Sequence, residues 1–334
     1  MKRYTLYGLT IESEVEFMQL DEINSAQEGS SEIQIDATIR QRECEYEVID
    51  YLTEHDSLKR KYEIGLEYSC FMNIGGYFVI QNGREIIFQT KEDYTPEKVS
   101  PWLLGFSMAM LLLQRRILAI HCSAVTDGDS GAFLISGEMG AGKSSLTRKL
   151  IEKGFKIMAD DVAAVKMEAV AYDNEENKRL SADYIETWNV LDHAMVFPAF
   201  PYQKLCRNEV ESRNFSKDEI IYIDENKDKF LVPVKECFVD KPKKLKFMIY
   251  LITADIKELK VQRLSGLDQF MALRNNIFLH RLFGEWENDK EIIELCMRVS
   301  GKCPVYLILR PKEGYYQEQI SDEVIRINNE VRNF

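Results

Sequence analysis

Residues 137–144 read Gly-Glu-Met-Gly-Ala-Gly-Lys-Ser, a full match to the pattern G-x-x-x-x-G-K-[ST]. Few sequence features constrain a fold as tightly. Backbone amides can close around a phosphate only where glycines remove the Cβ atoms in the way. The loop must also leave a strand and enter a helix, so that the helix N-terminus adds its partial positive charge. Both flanks are present: GAFLIS (131–136) is an apolar run with strand character, and SSLTRKLIEK (144–153) is an amphipathic helix. The chain therefore reads as α/β, with a central β-sheet domain built around a phosphate loop. Gly137, Glu138, Met139, Gly140, Ala141, Gly142, Lys143, Ser144 and Ser145 form its nucleotide-binding segment. Lys143 reaches for the β- and γ-phosphates, and Ser144 is placed to ligate Mg²⁺.

A bound Mg²⁺ calls for a carboxylate. The helix after the loop ends at Gly154, and FKIMADD (155–161) then reads as a strand closing in two aspartates. A helix of about 11 residues climbs roughly 16 Å, and a strand of about 5 residues returns roughly 17 Å. Asp160 and Asp161 are thus expected back at the level of the loop. Strand alternation predicts that they point to opposite sides and hold different roles. In most proteins with this loop the acidic metal partner lies on a later strand. A guanine-reading N-K-x-D is also missing; Asn226-Lys227-Asp228-Lys229 has its aspartate one place early and reads as a polar turn.

The 334 residues carry 43 Lys plus Arg against 55 Asp plus Glu, a net charge of −12, which disfavours nucleic acid and anionic membranes as partners. The apolar run Trp102–Leu113 is too short to span a bilayer, and the N-terminus shows no secretory h-region. Seven scattered cysteines without a CxxC read as reduced thiols of a cytoplasmic protein. Residues 1–94 read as a small β-rich region. YTLYGLTI opens it, EIQIDATI (32–39) alternates, and Gly75-Gly76 and Asn82-Gly83 mark hairpin turns. Residues 95–334 read as the phosphate-loop domain. Thr95-Pro96 opens a helix running to about Leu113. ILAIHCSAV (117–125) is an apolar strand carrying His121 and Ser123. On its own His121 reads as a packed core histidine before it reads as an imidazole aimed at a γ-phosphate, and Ser123, on the same face, reads as a packed strand serine before it reads as a donor. Arg274 and Arg281, seven apart on an apparent helix (269–283), share one face and offer a phosphate clamp or an exposed stripe.

The run HCSAV…GAFLISGEMGAGKSSLTRKLIEKGFKIMADDVAAV resembles the nucleotide-binding core of the HPr kinase/phosphorylase family and the HPr-kinase-like serine kinases, and more distantly the phosphoenolpyruvate carboxykinases. About 45 residues carry the match tightly, and FPAFPYQKL (197–205), DKFLVPV (228–234) and KPKKLKFMIYLI (241–252) carry it loosely. The resemblance implies an ATP- and Mg²⁺-dependent kinase acting on a serine hydroxyl. It implies Lys143 as the phosphate-loop lysine, Ser144 and Asp161 at the metal, Asp160 as base and His121 in the active site. Two further family segments, a glycine-rich stretch with a metal-linked glutamate and an Arg-rich docking loop, are not found. The implied acceptor is therefore a serine-containing protein, peptide or metabolite other than HPr, and a homo-oligomer is the expected assembly. The alternative that these losses leave open is an ATP-binding regulatory or assembly module without turnover.

Overall fold

The computed structural model describes residues 1–23, 34–54, 62–138, 140–171, 190–211, 220–223, 228–278, 280 and 284–331. It is a mixed α/β chain with several sheets. Among the described residues, seven strands make the first sheet: β1 (Lys2–Leu6), β2 (Leu9–Ser13), β3 (Ala37–Gln41), β4 (Tyr62–Ile64), β5 (Tyr68–Met72), β6 (Gly76–Gln81) and β7 (Glu85–Thr90), in the order β1-β2-β3-β7-β6-β5-β4. The turn residues act as their chemistry requires: Asn82 and Gly83 both take positive φ (53° and 60°), the tight hairpin geometry that matches strand twist. The opening run also folds back on itself, through Tyr7 and Gly8 at φ 55° and 76°. Two expectations are corrected. The second predicted strand covers only Ala37–Gln41, with 32 and 33 outside the described residues. A helix, α1 (Tyr46–Glu54), also interrupts the β-rich stretch, seating Leu52 against Cys70, Met72 and Val79.

Thr95 caps the next helix, with its side chain accepting from the Lys98 amide and Pro96 in the first turn. That helix runs as α2 (Pro96–Trp102), a π-helical turn (Leu103–Ser107) and α3 (Met108–Gln114). The π turn follows Pro101, which lacks the N–H an uninterrupted ladder needs. ILAIHCSAV then divides. β8 (Leu118–Ile120) and β9 (Cys122–Thr126) are separate strands with different neighbours, and His121 is the corner between them.

The second sheet continues with β10 (Ala132–Gly137), the glycine loop, α4 (Lys143–Glu152), β11 (Lys156–Ala159), β12 (Ala163–Ala171) and β13 (Val190–Phe197). A small third sheet follows. It comprises β14 (Tyr202–Cys206), then α5 (Arg207–Glu211), β15 (Ile221–Ile223) and β16 (Lys229–Pro233), in the order β14-β16-β15. The chain returns to the second sheet with β17 (Lys243–Ala254) and β18 (Lys260–Arg263). It ends through α6 (Gly266–Arg274), α7 (Lys290–Lys302), β19 (Val305–Pro311) and α8 (Gln317–Val331). The helix expected over 269–283 is described only to Arg274, and Arg281 lies outside the described residues. Arg274 donates to the Glu287 carbonyl at 3.1 Å.

Strands β10, β17 and β19 run parallel and are apolar on both faces, as a sheet covered on both sides must be. Phe133, Ile135, Phe247, Ile249, Leu251 and Ile308 meet Leu146 and Leu150 of α4 and Ile320, Val324 and Ile327 of α8. The i, i+4, i+7 spacing on α8 is one helical stripe. Leu134 and Met248, one residue out of step, face the opposite core. Each such side chain contributes about 1.5–3 kcal/mol by leaving water, and together they join the sheet to α4 and α8 beneath the glycine loop.

Candidate functional site

Strand direction alone assembles the site. β9 pairs antiparallel with β10 on one side and with β11 on the other. The C-terminal ends of β10 and β11 and the N-terminal end of β9 therefore share one edge of the sheet. The glycine loop leaves β10 there, Asp160 and Asp161 follow β11, and His121 and Ser123 stand at the entry to β9.

The loop is held from both ends. Gly137 has φ 148°, and a Cβ there would stand 2.1 Å from the Leu251 carbonyl oxygen. Gly142 has φ 100° and packs against the Gln317 side chain; Gly140 has φ 78°. Arg310 of β19 donates through Nε to the Ala141 carbonyl (2.8 Å) and through Nη2 to that of Gly140 (3.0 Å). Within the loop the Ala141 N–H donates to the Glu138 carbonyl at 3.1 Å. Lys143 Nζ bridges back to the carbonyls of Gly137 (2.8 Å) and Glu138 (3.1 Å). Ser144 and Ser145 occupy the first turn of α4, and Ser145 Oγ donates to Glu209 Oε1 of α5 at 3.3 Å. Met139 lies outside the described residues. Sequence reasoning missed Arg310 and Glu209, which lie far from the loop in the chain and match no motif.

The two aspartates do not obey strand alternation. β11 ends at Ala159, and Asp161 has φ 70°, a left-handed conformation that aspartate tolerates better than most residues. The Val162 amide donates back to the Asp160 carbonyl at 2.9 Å, closing the turn. The turn places both side chains on the wall of one small cavity, together with Tyr7, Pro101, Lys204 and Ile223. Their surroundings then separate them. Asp160 accepts from Ser123 Oγ (2.6 Å) and from the Lys204 backbone N–H (2.9 Å). Asp161 Oδ1 lies 3.6 Å from His121 Nε2, and its Oδ2 lies 3.8 Å from Lys204 Nζ.

The charges follow this geometry. Burial pushes the Asp160 carboxyl up to about 6, against the opposing hydrogen bonds of Ser123 and Lys204. Burial pushes Asp161 the same way, but Lys204, His121, Lys229 and Lys143 outweigh it and hold that carboxyl below its ordinary value. Burial lowers the Lys143 ammonium despite the pull of Asp161 and Asp160. It likewise lowers the His121 imidazole, against Asp161. The loop lysine and both carboxylates thus share one electrostatic neighbourhood.

His121 is fixed by its backbone. Its N–H donates to the Asn276 carbonyl (2.7 Å), and Ser136 Oγ lies within hydrogen-bond distance of both the His121 carbonyl (2.6 Å) and Asn276 Oδ1 (2.5 Å), its single proton serving one of the two. Phe278 meets the ring edge-on at 5.8 Å. Ser123, expected as a packed strand serine, is a buried donor to Asp160. Lys204 of β14 and Lys229 of β16 are carried in by the third sheet. Lys227 lies outside the described residues.

The donor chemistry fits a magnesium nucleotide. Mg²⁺ takes one or two carboxylates plus substrate phosphates and water. The Ser144 hydroxyl, the Asp161 carboxylate and a glycine loop with its carbonyls tied away are donor types of that kind, and these residues would hold such a group.

No family model and no curated protein matches the chain. Among solved structures it is similar to an HPr(Ser) kinase/phosphatase from Coxiella burnetii, with 13% identity and a TM-score of 0.29, over 64% of this chain and 97% of that one. At that score the likeness carries no weight for the chemistry, which has to be read from this chain's own residues. Among the described residues no helix is long and apolar enough to cross a membrane.

Proposed function

We propose that the chain is an ATP- and Mg²⁺-dependent kinase of HPr-kinase-like type that transfers a phosphoryl group to a serine hydroxyl of a protein, peptide or small molecule. Residues 95–334 would form the kinase unit and residues 1–94 an accessory β-rich unit. One observation carries this reading: Asp160 and Asp161 stand at the sheet edge that bears the glycine loop, within the field of Lys143.

The nucleotide would supply the transferable phosphoryl group, and the metal would offset its charge. The loop amides, Ser144 and Asp161 would hold these groups, Asp161 being the carboxylate that its cationic neighbours keep ionised. Asp160 would take the proton from the acceptor hydroxyl. Ser123 and the Lys204 amide fix its orientation, and its raised proton affinity brings it nearer to neutrality, where a general base works best. Lys143, His121 and Lys204 would offset negative charge developing on the transferring group. Such catalysis is mainly positioning and electrostatics.

The test is incubation of the purified chain with ATP, Mg²⁺ and serine peptides, reading phosphoserine by mass spectrometry. Wild type should produce it, and Asp160→Ala should bind ATP without transfer. Full transfer by Asp160→Ala would remove the mechanism. ATP binding by wild type with no phosphoserine on any acceptor would leave only a nucleotide-binding module.

A further inference from the structure

The hairpin tip Tyr7-Gly8 reaches the aspartates from the N-terminal sheet. Both residues take positive φ, 55° and 76°, between the paired ends of β1 and β2. The turn at Asn82-Gly83 has the same signs, with asparagine in the first place, as such turns favour. A bulky tyrosine is a rare occupant of that conformation. A residue held there persists only where its surroundings over-determine it, and such positions gather at functional sites.

The surroundings of Tyr7 meet that condition. It is 2% exposed, and its contacts tie together the parts that build the aspartate cavity. Its N–H donates to the Pro198 carbonyl (3.0 Å), on the segment that leads into β14 and Lys204. Its hydroxyl donates to the Leu104 carbonyl (3.3 Å) inside the π turn. Its side chain lines the cavity with Asp160 and Asp161. Gly8 leaves no slack, because a Cβ there would stand 2.3 Å from the Phe197 ring. Gly105 of the π turn lines the same cavity, and the space in front of it is open. Glycine within a helix is unfavourable, so the turn and its glycine keep a void beside the carboxylates, and Tyr7 forms part of its wall.

On the kinase reading above, we propose that Tyr7 is a positioning residue, through which the N-terminal unit holds the aspartate turn, the π turn and the entry to β14 in one arrangement. It acts on Asp160 through the Lys204 backbone, whose N–H holds that carboxylate at 2.9 Å. It acts on Asp161 as a wall that keeps water from one side and leaves His121 and Lys204 as neighbours of the carboxylate. The glycine loop is held by Arg310 and by its own glycines, so phosphate binding should not depend on Tyr7.

The experiment compares the full wild-type chain with three variants. Tyr7→Asn suits the turn but removes the ring, and Tyr7→Phe keeps the ring. Ile39→Ala opens the same hydrophobic core away from the cavity. Mn²⁺ affinity is read by electron paramagnetic resonance with a non-hydrolysable ATP analogue, analogue affinity by calorimetry and kcat from phosphoserine, all well below each melting temperature. Tyr7→Asn should weaken Mn²⁺ binding about fivefold and lower kcat about 30-fold, the scale of a misplaced reacting group, with analogue affinity within about twofold. Tyr7→Phe should stay within about threefold of wild type throughout, and Ile39→Ala should match wild type whatever its melting temperature.

Should Tyr7→Asn fail to fold, hydrogen exchange on wild type decides. Mn²⁺ and the analogue should slow exchange at residues 5–10 and leave the turn at 82–83 unchanged, since coupling between two sites is reciprocal. Equal Mn²⁺ affinity and kcat in Tyr7→Asn and Ile39→Ala, or exchange at 5–10 that ignores the loaded site, would overturn the proposal. So would loss of analogue affinity in step with kcat. The two claims fail separately. No phosphoserine from wild type, with the Mn²⁺ and exchange effects present, sinks the kinase reading alone. Phosphoserine from wild type, with Tyr7→Asn equal to Ile39→Ala, sinks this one alone.

Discussion

The glycine loop and the aspartate pocket share one sheet edge but are built in different ways. The loop is eight consecutive residues between β10 and α4, and its shape follows from local conformation: positive φ at Gly137, Gly140 and Gly142. The pocket is gathered from β9, the turn after β11, β14 of a separate sheet and the hairpin tip at Tyr7. A contiguous site can be recognised from spacing. A gathered one depends on strand order, which a motif does not contain.

The difference predicts two classes of variant. The largest effect should come from Asp160→Asn, which removes the base while keeping the side chain's shape. A drop in kcat of about 10³ is expected in the phosphoserine assay, with ATP affinity nearly unchanged; a drop below tenfold would take the pocket out of the chemistry. Gly137→Ala should strike the loop through the fold itself, because its Cβ would meet the Leu251 carbonyl at 2.1 Å. A loss of about 3 kcal/mol in denaturant unfolding is expected, since backbone cannot rotate out of the way; a loss under 1 kcal/mol would mean that the loop is not so confined.

Ser123→Ala should fall between these in character, touching the pocket but not the loop. It removes one donor from Asp160, costing about 1–2 kcal/mol in transition-state stabilisation, or roughly tenfold in kcat, and leaving ATP affinity intact. Equal losses in both would make Ser123 a packing residue. The smallest effect belongs to a network apart from both. Asp127 accepts from Ser130 and Asn328, near Lys246. Burial raises its carboxyl, but these partners outweigh that and hold it well below the ordinary value. A depressed folded value stabilises above the unfolded pKa of about 4, and that stability is lost as pH falls through the folded value. Asp127→Asn should therefore melt below wild type at pH 7, with the gap closing in acid and transfer unaffected. A gap that widens in acid would contradict this.

How much was legible follows the same division. The sequence disclosed the strand–loop–helix unit, the hairpin turns at Gly75-Gly76 and Asn82-Gly83, the Thr95 cap and the return of Asp160 and Asp161 to the loop's level, because each rests on a short run of residues. It did not disclose α1, whose apolar side chains face the first sheet. Nor did it disclose the corner at His121, because two short apolar strands in series read as one. It placed Asp160 and Asp161 on opposite sides, because alternation assumes that the strand continues, whereas φ 70° at Asp161 ends it. Lys204, Glu209 and Arg310 were invisible because only tertiary pairing brings them to the loop and pocket.

The central claim is that loop and pocket meet around one cation. The direct measurement is Mn²⁺ affinity, by electron paramagnetic resonance, in the presence of a non-hydrolysable ATP analogue. The wild-type chain should bind Mn²⁺ with the nucleotide, and Ser144→Ala and Asp161→Asn should each weaken that binding about tenfold while the nucleotide stays bound. Weakening by Ser144→Ala alone, with Asp161→Asn equal to wild type, would place the aspartates away from the metal and contradict the account.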